Sequence, residues 1–381
     1  MRIVALPLWM TTRLRGSALG VLVVVLAGAC SVPGTVSSRS PAAGSSGTST
    51  PSASPSGIQQ PSPSPAPVTS AYGVLVSAQS ATNYTVSLVG TDGRVVASAQ
   101  TTTPGTVTCA NSAGALVSPP VSMSNARVYY MDAQGVVRYL APNGDAGRAT
   151  SVPIGPARRS MFAVSPDDQR IAVIVDDFDA TGAATRLYIE DLNGGGHHKE
   201  LFTETGAFTL WPTGWHGTDN LVLSKVPSCT QGGGPFCCRP QEFHVVDPAT
   251  AVRRFTVGDA SACSVAGAPS PAGVVCDAGD VQANVLSWTG ATTRSFSIQG
   301  PTFAYLSPNG SLVAIVPSGD TVIQETSRTL AGMQACGWID DNHVLSGGDA
   351  QHQPRVGDIT NGNAVAVAAQ GDCAGRLPGG L

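Results

Sequence analysis

The sequence predicts an all-β fold, and three observations lead to this prediction. The chain has 381 residues, of which 44 are glycine and 28 are proline, and both types break helices and mark turns between strands. Beyond the first thirty residues, no stretch shows the 3.6-residue apolar period of an amphipathic helix. From Ala71 onward the chain instead repeats a β-rich segment, a turn with Gly, Asn or Asp, and a second β-rich segment.

Seven copies of this hairpin pattern follow one another along the chain. They lie at 84–96, 128–140, 187–194, 243–248, 285–290, 321–330 and 356–367. The first copy turns at Asp92-Gly93 and the last at Asn361-Gly362. Such pairs suit type I′ turns, because both central residues of these turns need a positive φ.

A second motif, a strand followed by a Ser-Pro turn and another apolar strand, precedes several of the hairpins. Residues 162–173 contain Ser-Pro-Asp-Asp at 165–168, and residues 304–315 contain Ser-Pro-Asn-Gly at 307–310. Gly214-Trp215 and Gly337-Trp338 begin two degenerate copies. Proline presets φ, and Asp, Asn or Gly tolerates the left-handed conformation, so each motif predicts a tight hairpin.

These motifs resemble the WD40-like repeats of TolB-type propellers, whose hallmark is Ser-Pro-Asp-Gly followed by an apolar strand. Asp168 replaces the glycine in one copy, and Asn309 replaces the aspartate in the other. The resemblance implies a β-propeller, and turns recur about every 45 residues, the length of a four-stranded blade. We predict seven blades over residues 71–378, with six as the alternative. The strand from Tyr72 to Val76 is expected to close the ring by pairing N- and C-terminal strands in one blade.

The first thirty residues have the composition of a secretory leader. Arg13 and Arg15 precede an apolar run from Ala18 to Ala29. This run of about 12 residues is too short to span a bilayer, which requires roughly 20 helical residues.

Residues Leu26 to Cys30, Leu-Ala-Gly-Ala-Cys, resemble the lipobox of bacterial lipoproteins, although Leu26 lies one place earlier than the usual leucine. The resemblance implies cleavage just before Cys30 and attachment of a lipid to its sulfur. Residues 1–29 would then be a lipoprotein signal peptide. An ordinary secretory signal cut near Ala29 is the alternative, and the protein would then be secreted.

Residues 30–70 form a segment of low complexity. They consist almost only of Ser, Pro, Ala, Gly and Thr, with Arg39 as the sole charge. Such a composition cannot bury enough apolar surface to offset the entropy of ordering, so we predict a disordered tether.

The cysteines indicate an oxidising compartment. Besides Cys30 there are eight, an even number typical of disulfides in an exported chain: Cys109, Cys229, Cys237, Cys238, Cys263, Cys276, Cys336 and Cys373. The favoured pairs are Cys263 with Cys276, Cys336 with Cys373, and Cys229 with either Cys237 or Cys238. Zinc is disfavoured, because adjacent Cys237 and Cys238 lack the two-residue gap of zinc knuckles.

No catalytic constellation and no cofactor or metal site are predicted. Residues 177–182 resemble the start of a calcium loop, but Tyr188 stands where a bidentate glutamate is needed, so a plain hairpin loop is favoured. His197 and His198, beside a Gly-rich turn, and His216 and His343, in the loops of the two Gly-Trp copies, are interpreted as loop residues and not as ligands. The sequence contains no Gly-x-Ser-x-Gly motif and no Lys-Ser/Thr after its glycine runs. Four tryptophans are predicted to lie in the blade core rather than on a sugar-binding surface: Trp211, Trp215, Trp288 and Trp338.

Together these features predict an exported, lipid-anchored envelope protein whose propeller is a binding scaffold. The expected partner is an envelope protein, a peptide or a glycan, and the ring is expected to be monomeric. Nucleic acid is disfavoured, because the formal net charge is −4 and no long basic run occurs. The alternative function is a glycan hydrolase or lyase. It would need two carboxylates about 5–10 Å apart, with Asp176, Asp177, Asp340 and Asp341 as candidates.

Overall fold

The computed structural model describes residues 65–77, 82–107, 120–178, 183–206, 208–227, 242–300, 302–349 and 351–381. All described residues belong to one compact unit, Gln60–Leu381. This described part contains 28 strands and no helix, so it holds no helical segment able to cross a bilayer.

The strands form seven sheets of four antiparallel strands each, which are the blades of a propeller ring. The seven innermost strands, which begin blades 1 to 7 in this order, are β4 (Val121–Met123), β8 (Arg158–Val164), β12 (Phe208–His216), β16 (Ser264–Val265), β20 (Phe303–Leu306), β24 (Ala335–Trp338) and β28 (Asp372–Leu377). The second strands, in the same order, are β5 (Val128–Met131), β9 (Arg170–Phe178), β13 (Asn220–Pro227), β17 (Val274–Asp277), β21 (Val313–Ser318), β25 (His343–Ser346) and β1 (Tyr72–Val76). The third strands are β6 (Val136–Leu140), β10 (Ala183–Asp191), β14 (Glu242–Val246), β18 (Gln282–Leu286), β22 (Asp320–Ile323), β26 (Arg355–Asp358) and β2 (Asn83–Gly90). The outermost strands are β7 (Ala146–Ser151), β11 (Lys199–Gly206), β15 (Arg253–Val257), β19 (Thr292–Ser297), β23 (Arg328–Leu330), β27 (Ala364–Ala366) and β3 (Val95–Thr102). The predicted number of seven blades is confirmed, and the alternative of six is wrong.

The ring closes within blade 7, as the sequence predicts. The N-terminal strand β1 lies between β2 and the C-terminal strand β28, and Val74 pairs with Leu88 on one side and Gly375 on the other. A disulfide between Cys336 of β24 and Cys373 of β28 joins the innermost strands of blades 6 and 7. Closure therefore combines a shared sheet with a covalent bond.

Six of the seven predicted hairpins are the third and fourth strands of their blades, but the copy at 128–140 is not. It contains β5 and β6, the second and third strands of blade 1. The outer hairpin of that blade turns instead near Gly144 into β7. Both turns contain a glycine with positive φ, 76° at Gly135 and 86° at Gly144, so local turn chemistry could not tell the two hairpins apart.

The Ser-Pro motifs form the turn between the first and second strands of blades 2 and 5. In blade 2 the Ser165 hydroxyl donates to the Asp167 carboxylate at 2.5 Å and accepts the Arg170 N–H at 2.9 Å. In blade 5 the Ser307 hydroxyl repeats both bonds, with Asn309 and with the N–H of Leu312, each at 3.0 Å. Each serine hydroxyl thus bonds to the side chain two residues later and to the backbone N–H five residues later. These bonds explain why the motif has a serine in its first position and Asp or Asn in its third.

Apolar residues of each blade face both neighbouring blades. Alternate residues of β9 point to opposite sides of its sheet. Val173 and Val175 pack against Tyr129 of blade 1, whereas Ala172 and Ile174 pack toward blade 3. The core is therefore a series of layers between blades, without a single centre.

The direction of the innermost strands defines two faces of the ring. We call the face where these strands begin the upper face, and the face where they end the lower face. On the lower face Gly379 donates its N–H to the Ser124 carbonyl at 2.7 Å, and Asn125 donates to the Pro166 carbonyl at 2.9 Å. Residues 65–71, which lead into β1, lie on this face too, where Val68 donates its N–H to the Asn125 carbonyl at 2.9 Å.

Candidate binding face

The lower face is crossed by the segment that follows β28. Gly379 binds blade 1 through the Ser124 carbonyl, and Leu381 donates its N–H to the Trp215 carbonyl of blade 3 at 2.7 Å. The Leu381 side chain packs on the core between blades 3 and 4, and His216 Nδ1 contacts the Leu381 carbonyl. Both described ends of the ring cover part of the lower face, which leaves the upper face as the candidate binding face.

A chain of ion pairs crosses blade 2 near the upper face. The Arg158 guanidinium binds the Asp177 carboxylate through two atom pairs, Nε to Oδ1 at 2.5 Å and Nη2 to Oδ2 at 3.1 Å. Arg186 lies 3.7 Å from the same carboxylate and 3.4 Å from Glu200 on the outermost strand. The hydrogen bond to Asp177 raises the pKa of Arg158 above its usual range. Two arginines and two acidic residues leave this cluster with no net formal charge. Their side chains therefore neutralise and orient one another.

A second, buried polar cluster joins blades 2 and 3 below this surface. The Asp176 carboxylate is inaccessible to solvent and accepts hydrogen bonds from the hydroxyls of Thr185, at 2.8 Å, and Thr209, at 2.6 Å. Arg159 lies 3.6 Å from Asp176 and stacks over the Trp211 ring at 4.9 Å. Burial raises the pKa of Asp176 and lowers that of Arg159, because both charged forms lose hydration. The cluster holds two blades together and is not accessible to a substrate.

Exposed apolar side chains are concentrated on the upper face. In the described part of the chain, eight large apolar residues are exposed, and four of them lie on this face: Ile154, Phe208, Val281 and Phe303. Phe208 and Phe303 are the first residues of innermost strands and are 44% and 42% exposed. Lys225 lies over the Phe208 ring at 5.1 Å. The four residues extend from the connection between blades 1 and 2 to the start of blade 5.

The upper face of blades 4 to 7 is acidic. Five aspartates with partly or fully exposed side chains lie there: Asp259, Asp280, Asp320, Asp349 and Asp372. Arg355 is the only Lys or Arg at this edge in the described part of these blades. Hydrogen bonds lower the pKa of Asp259, chiefly from the Ser261 hydroxyl, and of Asp349, chiefly from the N–H of Gln351. Both carboxylates are therefore ionised at neutral pH.

The four carboxylates named for an enzyme do not converge. Asp176 and Asp177 lie at the upper end of β9, and their side chains point to opposite sides of blade 2. Asp340 and Asp341 lie on the lower face of blade 6, where Asp340 accepts from the N–H of His343 and Asp341 accepts from the N–H of Asn309. Asp176 is also buried, so these four carboxylates do not face a common solvent-accessible site.

The histidines do not share one site, and the expected loop residues His216 and His343 are instead the last residue of β12 and the first residue of β25. His197 and His198 pair with different carboxylates, those of Asp191 at 2.8 Å and Glu190 at 2.7 Å. Within the described ranges, no group of three or more His, Cys, Asp or Glu residues has the arrangement of a metal site. Asp177, the first residue of the calcium-loop pattern, is already bound by two arginines, and residues 179–182 lie outside the described residues.

Two of the predicted disulfides are confirmed. Cys263 is bonded to Cys276 within blade 4, and Cys336 is bonded to Cys373 across blades 6 and 7. The lipidation candidate Cys30 and the cysteines Cys109, Cys229, Cys237 and Cys238 lie outside the described residues, so their predicted roles stay predictions.

The four tryptophans belong to the blade core, as predicted. Trp211, Trp215, Trp288 and Trp338 are at most 5% exposed. Sequence reasoning missed the exposed residues of the upper face, and it missed a Ser-Pro-Ala-Gly turn at 270–273 in blade 4. A search for Ser-Pro-x-Gly would have found this turn. No comparable motif marks Phe208 or Phe303, since an apolar residue that begins a strand is normally buried.

Comparison with known proteins finds only distant structural similarity. No protein-family profile matches the chain, and no curated protein matches it. Among solved structures, a chain in the crystal structure of the mitotic checkpoint complex is 14% identical, with 73% of this chain and 82% of that chain covered and a TM-score of 0.41. BamB from Moraxella catarrhalis is also 14% identical, with 82% of this chain and 84% of that chain covered and a TM-score of 0.37. At this similarity neither protein informs on function, and the chain is described as a seven-bladed β-propeller.

Proposed function

We propose that this protein is exported, is anchored to the envelope membrane through a lipid on Cys30, and binds a partner polypeptide on the upper face of its propeller. One observation carries the binding proposal. Four exposed apolar side chains lie on the face opposite to the one where residues 65–71 join the ring. Large exposed apolar patches mark interaction sites on soluble domains, and these side chains would contribute apolar contacts to such a site.

Two features support export. The disulfides Cys263–Cys276 and Cys336–Cys373 need an oxidising compartment to form and persist. The basic and apolar leader that ends at Cys30 directs the chain to such a compartment. A lipid on Cys30 would then keep the protein at the membrane, with the Ser- and Pro-rich residues 31–64 as the tether.

The chemistry of the upper face suggests the chemistry of the partner. Val281 and Phe303 offer apolar contacts, while Asp259, Asp280 and Asp320 place negative charge on the same part of the face. A polypeptide with apolar side chains next to Lys or Arg complements this surface. In such interfaces a few apolar anchors supply most of the binding energy, and the charges favour the correct partner.

The experiment is crosslinking in intact cells, followed by membrane isolation and affinity capture of the full-length protein. The wild type should be recovered from membranes with a specific partner, and Phe208→Ser with Phe303→Ser should reduce the partner at least tenfold. Phe255→Ser is the matched control, since Phe255 is 40% exposed on the outermost strand of blade 3, away from the upper face. Cys30→Ala should release the protein into the medium.

The outcomes separate the two parts of the proposal. Membrane retention of the Cys30→Ala protein would contradict the lipid anchor. Equal partner recovery by the double variant and the Phe255→Ser control would contradict the binding face.

A further inference from the structure

A polar cleft lies between the outer strands of blades 7 and 1, with a volume of about 450 Å³. Its walls come from β2 and β3 on one side and from β6, β7 and the turn after β5 on the other. We propose that this cleft binds a neutral, hydroxyl-rich ligand, a short segment of an uncharged glycan. The inference goes beyond the proposed function, because none of the four apolar residues of the upper face lines the cleft.

The two walls of the cleft are held at a fixed separation. The Ala133 N–H of blade 1 donates to the Thr102 hydroxyl of blade 7 at 3.1 Å. Deeper between the blades, the Tyr84 hydroxyl of blade 7 donates to the Met131 carbonyl of blade 1 at 2.5 Å. A ligand that enters the cleft therefore meets a preorganised site and does not have to order its walls, which would cost affinity.

An ion pair without net charge lies inside the cleft. The Asp132 carboxylate is almost fully buried, and its Oδ1 accepts the N–H groups of Gln134 and Val136, both at 2.9 Å. Arg138 binds the other carboxylate oxygen through Nε and Nη2, each at 3.0 Å, while its own side chain stays 43% exposed. Because Asp132 neutralises this guanidinium, the cleft has no net charge to attract an ionic ligand. The remaining N–H groups of Arg138 can still donate to a neutral oxygen.

The other lining groups both donate and accept hydrogen bonds. They include the amides of Asn83, Gln100 and Gln134 and the hydroxyl of Thr101. Sugar hydroxyls need this double capacity, because each is a donor and an acceptor at once. The ring of Tyr130 also lines the cleft, where burial raises the pKa of its hydroxyl, so this group stays a neutral donor.

Lipids and peptides fit the cleft less well than a glycan does. Among the described lining residues, Ala146 has the only apolar side chain apart from the largely buried Tyr130. Acyl chains and peptide side chains bind through apolar burial, and the cleft offers little of it. A ligand that depends on hydrogen bonds to neutral groups is favoured for the same reason.

The test is ligand-detected NMR and titration calorimetry with the purified full-length protein. The probes are four neutral tetrasaccharides, of β-1,4-linked N-acetylglucosamine, α-1,4-linked glucose, mannose and arabinose, together with an Ala-Gly peptide of similar length. At least one tetrasaccharide should bind, and Gln134→Ala and Arg138→Met should each weaken that binding at least tenfold. Gln299→Ala, an exposed glutamine after the outermost strand of blade 4, is the matched control and should have no effect.

Gln134→Ala keeps the test decisive if Arg138→Met fails to fold. Its side chain is exposed, and the bond from residue 134 to Asp132 uses the backbone N–H. Binding of no tetrasaccharide, binding that Gln134→Ala leaves unchanged, or preference for the peptide would each overturn the proposal. Partner capture by the upper face would be unaffected in all three cases, so the two proposals fail separately.

Discussion

At the scale of single residues, Asp168 shows how this sequence departs from the Ser-Pro-Asp-Gly pattern. Its φ is +59°, in the left-handed region that glycine occupies at the equivalent Gly310, where φ is +77°. A side chain in this conformation costs about 1 kcal/mol or more. In return, the Asp168 carboxylate accepts a hydrogen bond from the Tyr129 hydroxyl of the neighbouring blade. Burial raises the pKa of the Tyr129 hydroxyl, so it remains protonated as the donor.

We expect Tyr129→Phe to lower the free energy of unfolding by about 1.5–3 kcal/mol, the usual loss for a hydrogen bond to a charged group. Asp168→Gly should cost less, because it relieves the left-handed strain while it removes the same bond. Urea denaturation of the two single variants and the double variant measures the contribution of the hydrogen bond and the contribution of the left-handed strain. In the Tyr129→Phe background, Asp168→Gly should be neutral or stabilising. A further loss above about 1 kcal/mol there would contradict this explanation.

At the scale of structural elements, the two Ser-Pro blades are each followed by a Gly-Trp blade that binds to them in the same way. Trp215 Nε1 of blade 3 donates to the Ala163 carbonyl of blade 2 at 3.2 Å. Trp338 Nε1 of blade 6 donates to the Tyr305 carbonyl of blade 5 at 2.9 Å. Ala163 and Tyr305 each lie two residues before the serine of the Ser-Pro turn. The two sequence motifs are therefore the two halves of one inter-blade contact.

Trp215→Phe and Trp338→Phe should destabilise the ring by similar amounts, about 1–3 kcal/mol each, because each removes a buried hydrogen bond between two blades. Trp211→Phe is the control. Trp211 is equally buried, but its Nε1 has no hydrogen-bond partner among the described residues. Its replacement should therefore cost less than either of the others in guanidinium denaturation. If all three variants lost the same free energy of unfolding, the smaller side chain would account for the whole loss and the tryptophan hydrogen bonds for none of it.

At the scale of the whole molecule, ring closure depends on contacts between distant parts of the chain. The strand β28 pairs with β1, and its Cys373 is bonded to Cys336, 37 residues away. The Cys263–Cys276 disulfide spans only 13 residues and lies within one blade. A longer loop loses more entropy when it is closed in the unfolded chain, so the two bonds are expected to differ in their contribution.

Replacing both cysteines of the 336–373 pair by serine should lower the free energy of unfolding by about 4 kcal/mol, and the same change in the 263–276 pair by about 3 kcal/mol. Hydrogen exchange should also show faster opening of blade 7 in the first variant alone, because only that disulfide secures the closing strand. If loss of the 263–276 disulfide lowered the free energy of unfolding more than loss of the 336–373 disulfide, loop entropy would not be the main source of their stabilisation.

Local chemistry allowed the sequence to predict much of this architecture. Turn residues such as Asp92-Gly93 act within a few positions, so hairpins and their number can be read without knowledge of the fold. The radial position of a hairpin is not local in this way, since two glycine turns follow each other in blade 1 and the hairpin at 128–140 is the inner of the two.

The sequence by itself determined the all-β class, the repeated blade and the Cys263–Cys276 disulfide, because each depends on turns and spacings that are local along the chain. Only the tertiary structure decided which apolar residues stay exposed on the upper face, that Asp176 and Arg159 are buried together, and that a polar cleft separates blades 7 and 1. These features arise where different blades meet. Whether a side chain between blades is buried or hydrated depends on which surfaces the closed ring brings together. A local sequence pattern does not predict this.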